Sequence, residues 1–260
     1  MSLPNTIAAE FRKALTLPSA IIAAVAGTAM TLTFTAMAAS SRRAKLDAGM
    51  VDDGSTLDLG LEMSGPGVVG VIVLGIVLIS SEYTATGKDA GGGRQILVSL
   101  TSTPGRGRLL AAKAVVVALV SGVAAVLTIG GALVISQALL GRHGHPMGAL
   151  LEALGWRPLG AVAYWVLMAL IAFAVAVMTR SGLVPMVAFI VNTTFVSVTF
   201  LLTRVTSLAN YLPDVAGAQM FATGYPAENT LEPLAGALVM TAWTAVLLGV
   251  AAVLFARRDA

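Results

Sequence analysis

Hydrophobic and polar positions in this chain do not alternate on the scale of a strand or a single helical turn. They segregate into long apolar runs parted by short charged stretches. Charge-free runs cover residues 14–41, 63–81, 114–141, 158–179, 181–203 and 233–256. A helix needs about 20 mainly apolar residues to cross the hydrocarbon core of a bilayer, so the pattern predicts six transmembrane helices. Only Arg180 parts the fourth run from the fifth, which predicts a tight turn over residues 179–182. Backbone in lipid must bond to itself, leaving helices or closed barrels, and these runs lack the alternation of barrel strands. The predicted fold class is therefore all-α and polytopic, one transmembrane domain over residues 1–260.

The first run has a rival explanation as a secretory signal peptide, because Arg12 and Lys13 precede it and Ala36-Met37-Ala38 resembles a cleavage site. Its apolar stretch exceeds the roughly 7–15 residues of such a region. Its removal would also leave an odd number of spans. Ahead of it, residues 3–15 place Leu3, Ile7, Phe11, Ala14 and Leu15 on one helical face and Asn5, Ala9, Arg12 and Lys13 on the other. That pattern suits a helix lying in the membrane interface over residues 1–16, either as a simple anchor or as an elbow touching a partner.

Composition agrees with the pattern: 57% of residues are apolar and 11% charged, and the mean hydropathy is +0.88, against about 25% charged residues in ordinary soluble domains. There are no cysteines and two histidines, which removes disulfides and thiol chemistry and leaves little for a metal. A net charge of +3 gives no reason to expect nucleic acid. On an alternating path with the N-terminus inside, the inner segments hold ten basic and four acidic residues and the outer ones six and nine. The positive-inside rule then puts both termini in the cytoplasm of a multi-pass cell-membrane protein.

The longest inner segment, residues 82–113, carries five of the inner basic residues. A glycine-rich stretch from Gly87 to Gly93 precedes Arg94-Gln95-Ile96-Leu97-Val98-Ser99-Leu100, where Ile96, Leu97 and Leu100 share one helical face. Thr103-Pro104 can serve as N-cap and first helical position of the next helix, led in by Arg106, Arg108 and Lys113. The bland alternative is a solvated basic loop. A phosphate loop would need Gly at position 82 and Ser or Thr at position 89, where Glu82 and Asp89 stand.

No charge interrupts any of the six runs, which weighs against proton or sodium coupling. The polar content of the spans is neutral. Thr28, Thr31 and Thr35 stripe the first run, and Asn192, Thr193, Thr194, Ser197 and Thr199 cluster in the fifth among Phe189, Phe195 and Phe200. Hydroxyls in such places ordinarily pack helices together, whereas Asn192 faces either a cavity or a subunit interface. His143 and His145 lack the companion ligands a metal site requires, and no catalytic constellation is evident. The outer segment, residues 204–232, mixes Leu208, Tyr211, Leu212, Val215, Met220 and Phe221 with Asp214 and Gln219. It has the character of a stretch that dips into the outer interface, with Tyr211, Tyr225 and Trp243 as aromatic anchors.

Taken in order, these features resemble the permease subunits of the ABC-2 exporter family. Ser81-Glu82-Tyr83 closes the second run, and Leu100-Thr101-Ser102-Thr103-Pro104-Gly105-Arg106-Gly107-Arg108-Leu109-Leu110-Ala111-Ala112-Lys113 enters the third. This is similar to the family's glutamate-tyrosine start, followed by leucine, proline, a basic pair and alanine-alanine-lysine. The stretch between Tyr83 and Arg94 is longer and richer in glycine than the family pattern.

The resemblance implies an amphipathic N-terminal helix, six spans over residues 17–256, a cytoplasmic coupling loop over 82–113 and an extracellular segment over 204–232. It implies a dimer of permeases, of the same or different chains, docked on two copies of an ATP-binding subunit that holds ATP and Mg. Glu82, Arg94, Ile96, Leu97, Leu100, Pro104, Arg106, Arg108 and Lys113 would form the coupling region, and Phe189, Asn192, Phe195 and Thr199 would line the substrate path. This chain would then be no enzyme and carry no cofactor. It would export an amphipathic peptide, drug or lipid on ATP hydrolysed in trans. An ATP-independent transporter or channel, or a membrane scaffold or sensor, stands as the alternative.

Overall fold

The computed structural model describes residues 2–50, 54–83, 105–195, 198–223 and 230–257, with side chains not described for 194 and 195. The described residues are all-α. The helices are α1 (Leu3–Thr16), α2 (Pro18–Asp47), α3 (Leu59–Glu62), α4 (Val68–Ser80), α5 (Arg106–Leu140), α6 (Met147–Leu154), α7 (Arg157–Thr179), α8 (Leu183–Ile190), α9 (Val198–Thr203), α10 (Pro213–Ala218) and α11 (Pro233–Arg257). Of these, α2, α5, α7 and α11 are long and apolar enough to cross a membrane, and α4 and α8 are shorter apolar helices. The chain is a multi-pass helical membrane protein.

The centre of the bundle is the pair α4 and α7. Val71, Ile72, Leu74, Ile76 and Ile79 from α4 and Trp165, Ala169, Ala172, Phe173 and Ala176 from α7 are buried. Around them α2, α5 and α11 keep one flank inward and turn Ile22, Val25, Val123, Leu127, Leu238 and Val246 outward. Large apolar groups exposed on long helices suit lipid, where helices associate through close packing and not through a hydrophobic drive between them.

That packing is built on small residues. A Cβ on Gly70 would lie 2.7 Å from the Gly27 Cα, and one on Gly75 would lie 2.3 Å from the Ala169 carbonyl oxygen. So α4 touches α2 and α7 backbone to backbone. The span-one hydroxyls serve two contacts of α2: Thr31 and Thr35 are buried, with Thr31 beside Gly67 at the start of α4 and donating to the Gly27 carbonyl at 3.1 Å, and Thr28 meets Thr128 of α5 at 2.8 Å. Gly70→Ala should therefore push α2 and α4 apart and destabilise the chain by about 1–3 kcal/mol, the usual effect of overpacking. A lowered melting temperature in detergent would show it; an unchanged one would show that the crossing yields without penalty.

Three predicted boundaries change. The second run does not begin its helix at Met63 but at Val68, because Gly65-Pro66-Gly67 cannot continue a helix from α3: Pro66 lacks the donor. The helix of the third run starts ahead of the charge-free stretch, at Arg106, close to the start that Thr103-Pro104 suggests, so Arg106, Arg108 and Lys113 stand on it; Thr103 and Pro104 themselves lie outside the described residues. The fifth run is not a regular α-helix throughout. Among the described residues α8 passes into a π-turn over Val191–Phe195, and α9 takes up from Val198. Val191 and Thr193 are β-branched, and the Thr193 hydroxyl bonds back to the Phe189 carbonyl at 2.6 Å, a combination that opens the helical turn.

The tight turn between α7 and α8 falls where the charge pattern places it. Arg180 takes a left-handed conformation, φ 52°, the usual way to end a helix. Gly182 then packs on Ser80, with a Cβ there 2.9 Å from the serine Cβ, so the turn lies at the same end of the bundle as the end of α4. That end also carries α1 and the start of α5, and is called the basic end below.

Candidate functional site

At the basic end four charged side chains from three helices meet. Glu82 lies just beyond the last turn of α4 and is fully buried, and Lys113, two turns into α5, is 3% exposed. The Lys113 Nζ donates to Glu82 Oε1 at 2.8 Å and to Glu10 Oε2 of α1 at 2.6 Å. Lys13, one turn on from Glu10, also donates to Glu82 Oε1. Burial by itself raises the Glu82 pKa, but the Lys113 and Lys13 ammonium groups outweigh it and hold the carboxyl below its ordinary range.

On α1, Leu3, Phe11 and Leu15 are exposed, as suits a helix lying in the interface with its apolar side to lipid, while Lys13 is turned inward with Thr6, Glu10 and Ala14. Lys13 and Glu10 thereby reach Glu82 and Lys113. Of the other residues predicted for coupling, Arg106 is half-buried and Arg108 exposed. Arg94, Ile96, Leu97, Leu100 and Pro104 lie outside the described residues.

The second polar centre is the π-turn. The Asn192 amide donates through Nδ2 to Asp214 Oδ2 of α10 at 2.9 Å and to the Thr199 hydroxyl at 3.3 Å. Thr199 also donates to Asp214 Oδ2 through its hydroxyl, and its backbone N–H donates to Asn192 Oδ1 at 3.4 Å. One side chain thus ties the π-turn to α9 and to α10. Phe189 packs half-buried on the main core; the Phe195 side chain is outside the described residues.

Asp214 is the residue that sequence reasoning missed. An acid in a mixed outer segment looks like a solvated loop charge, yet this segment folds into the bundle. Val215, Met220 and Phe221 are buried, and a Cβ on Gly217 would lie 2.4 Å from the Met240 sulfur and 2.6 Å from the Tyr164 ring. Met240 and Tyr164 are each seven residues into their helices, about 10 Å of rise. The segment is held from the far end as well. Arg157 donates to Asp58 Oδ1 at 2.7 Å and to the Phe221 carbonyl at 2.7 Å, and Thr223 donates to Asp58 Oδ2 at 2.7 Å.

Asn192→Leu leaves Asp214 short of a donor and unlinks the π-turn from Thr199, so it should lower stability by about 1–3 kcal/mol. The check is thermal melting of the purified chain. A melting temperature equal to that of the wild type would show that the amide holds nothing together.

Among the described residues no group of three His, Cys, Asp or Glu side chains is placed to hold a metal. His143 instead meets Asp47 at 2.9 Å, and His145 meets Thr56 at 3.0 Å. No model of a known protein family matches the chain, and no curated protein sequence matches it.

Proposed function

We propose that this chain is the membrane-spanning permease subunit of an ABC exporter, with six membrane segments and both termini in the cytoplasm. A separate ATP-binding subunit, present in two copies, holds ATP and Mg and docks on the basic end, and a second permease completes the translocation unit. The chain itself is then a transport subunit and not an enzyme. The observation that carries this reading is the ionic cluster: Glu82, at the start of the 82–113 segment, is locked to Lys113 at its end and to α1 beside both. A push on that segment is thereby delivered to α1, α4 and α5 together.

Such rocking is a two-state shift, and its size is set by the differential contacts of the ATP-bound and nucleotide-free partners. The π-turn of the fifth span supports the same reading, since π-turns are frequent at functional positions. A facilitator or a scaffold would have no need of a loop clamped at both ends by buried charge.

The test is purification from native membranes in mild detergent. An ATP-binding subunit in equal amount, with vanadate-sensitive ATP hydrolysis, is the expected result. A chain that purifies without any nucleotide-binding protein, and yet moves solute in vesicles lacking ATP, would replace this reading with an ATP-independent transporter.

A further inference from the structure

We propose that Asp214 and the cavity it lines form a binding site for the cationic head group of an amphipathic organic ammonium compound. This names the substrate class of the permease and rests on that reading for its transport consequence, though binding itself does not depend on it.

Four of the described carboxylates are not exposed: Glu10, Asp58, Glu82 and Asp214. The first three each meet a lysine or arginine nitrogen, at 2.6 Å for Glu10, 2.7 Å for Asp58 and 2.8 Å for Glu82. Asp214 meets none among the described residues; its partners are the neutral amide of Asn192 and hydroxyl of Thr199. A carboxylate carried into a membrane bundle without a counter-charge is costly and marks a site whose partner comes from elsewhere.

Beside it lies a cavity of about 240 Å³ lined by Gly65, Pro66, Tyr164, Asn192, Thr193, Asp214 and Ala218. The chemistry of that wall selects among cations. A bare sodium or calcium ion needs about six oxygen ligands, whereas here the Asn192 amide donates to Asp214, the Thr193 hydroxyl donates to the Phe189 carbonyl, and much of the remainder is proline, glycine, alanine and an aromatic ring. An alkylated ammonium group is weakly hydrated, pairs with one carboxylate, and is stabilised against a ring face. The volume is below the roughly 300–1,000 Å³ of a pocket for a whole drug-sized molecule. It accommodates a head group, with the tail left in the surrounding apolar phase, and this is the reason for an amphipathic ligand. Asn192 and Thr199 then act as positioning residues that aim the carboxylate.

The experiment uses the full chain purified in a non-ionic maltoside detergent, without any ATP-binding subunit, and equilibrium binding of radiolabelled octyltrimethylammonium at fixed ionic strength. Saturable binding is expected, displaced by the unlabelled cation and not by octyl sulfate or by exchanging potassium for sodium. Asp214→Asn should weaken it about tenfold or more, since it removes the only charge. Asp214→Glu should retain it, and Ala218→Leu, which fills the cavity and leaves the carboxylate, should abolish it. Should Asp214→Asn fail to fold, the Glu and Leu variants decide the matter alone. Binding unchanged in folded Asp214→Asn, equal displacement by octyl sulfate, or displacement by sodium would each overturn the proposal. Because no ATPase is present, failure of the exporter reading would leave this result untouched.

Discussion

Replacing Lys113 with Met is expected to destabilise the folded chain by roughly 3–5 kcal/mol, the effect of removing one partner from a buried ion pair. The methionine fills much the same volume, so packing is nearly conserved and the loss is electrostatic. Glu82, fully buried, loses its bond to Lys113 and keeps the one to Lys13, and Glu10 loses its ammonium donor. The readouts are thermal melting in detergent and protease cleavage between α1 and α2, which should become accessible as α1 lifts from the bundle.

The double variant with Glu82→Gln should lose less than the sum of the two single changes, because the residues act as one network. The cluster also predicts a pH dependence. The folded Glu82 pKa lies below its ordinary value of 4.5, so its contribution is fully present above that pH and is lost as pH falls through the lower folded value. Acid should therefore release α1 in the wild type and have less further effect in Glu82→Gln. Single-variant stability equal to the wild type, with no acid dependence, would show that the four charges do not hold the helix ends together.

Leu97→Asp combined with Leu100→Asp should dissociate the ATP-binding subunit while leaving the membrane segments inserted. Both positions lie in the short amphipathic stretch where Ile96, Leu97 and Leu100 share one helical face, a face that needs an apolar partner. Burying each leucine-sized side chain stabilises a contact by about 1.5–3 kcal/mol. Losing two and introducing two carboxylates should thus weaken docking by more than about a hundredfold. Glu82→Ala, by contrast, should preserve part of the docking and uncouple hydrolysis from transport, since it leaves Ile96, Leu97 and Leu100 intact and loosens the hold on Lys113 and Lys13. Copurification together with ATPase activity in lipid nanodiscs separates the two outcomes. Unchanged copurification and coupled transport in the double variant would return the loop to a solvated basic segment.

The membrane helices were legible because hydrophobic patterning and charge segregation are one-dimensional signals. Runs without charge found the four long helices and both shorter ones, and the isolated Arg180 marked a turn that the backbone does make there. Charge misled where a charged side chain is paired inside the fold. Lys113 looks like the edge of a loop, but α5 begins two turns earlier, since Glu10 and Glu82 neutralise the ammonium group and Ala111 and Ala112 favour helix. Those partners are 103 and 31 residues away, and nothing local announces them.

The π-turn of the fifth run has a local signal in Asn192-Thr193-Thr194, which marks polarity without saying that the turn opens. Asn192 and Thr199, seven residues apart, are both legible as candidates, and the structure joins them through hydrogen bonds. Asp214 was not legible at all. Its role arises from the folding-in of the outer segment, fixed by small residues such as Gly217 meeting Tyr164 and Met240, a tertiary event with no periodicity to betray it.

The central claim is that an ATP-binding subunit docks on the basic end of this chain, and site-directed photo-crosslinking in native membranes tests it most directly. A benzophenone side chain placed at Leu97 should yield one dominant adduct, identified by mass spectrometry as a protein carrying an ATP-binding phosphate loop. The same group at Gly148, near the start of α6, where a side chain meets open space, should not yield that adduct. Adducts to an ATP-binding subunit from Gly148 and not from Leu97, or none from either position in membranes where the chain is folded and active, would contradict the account.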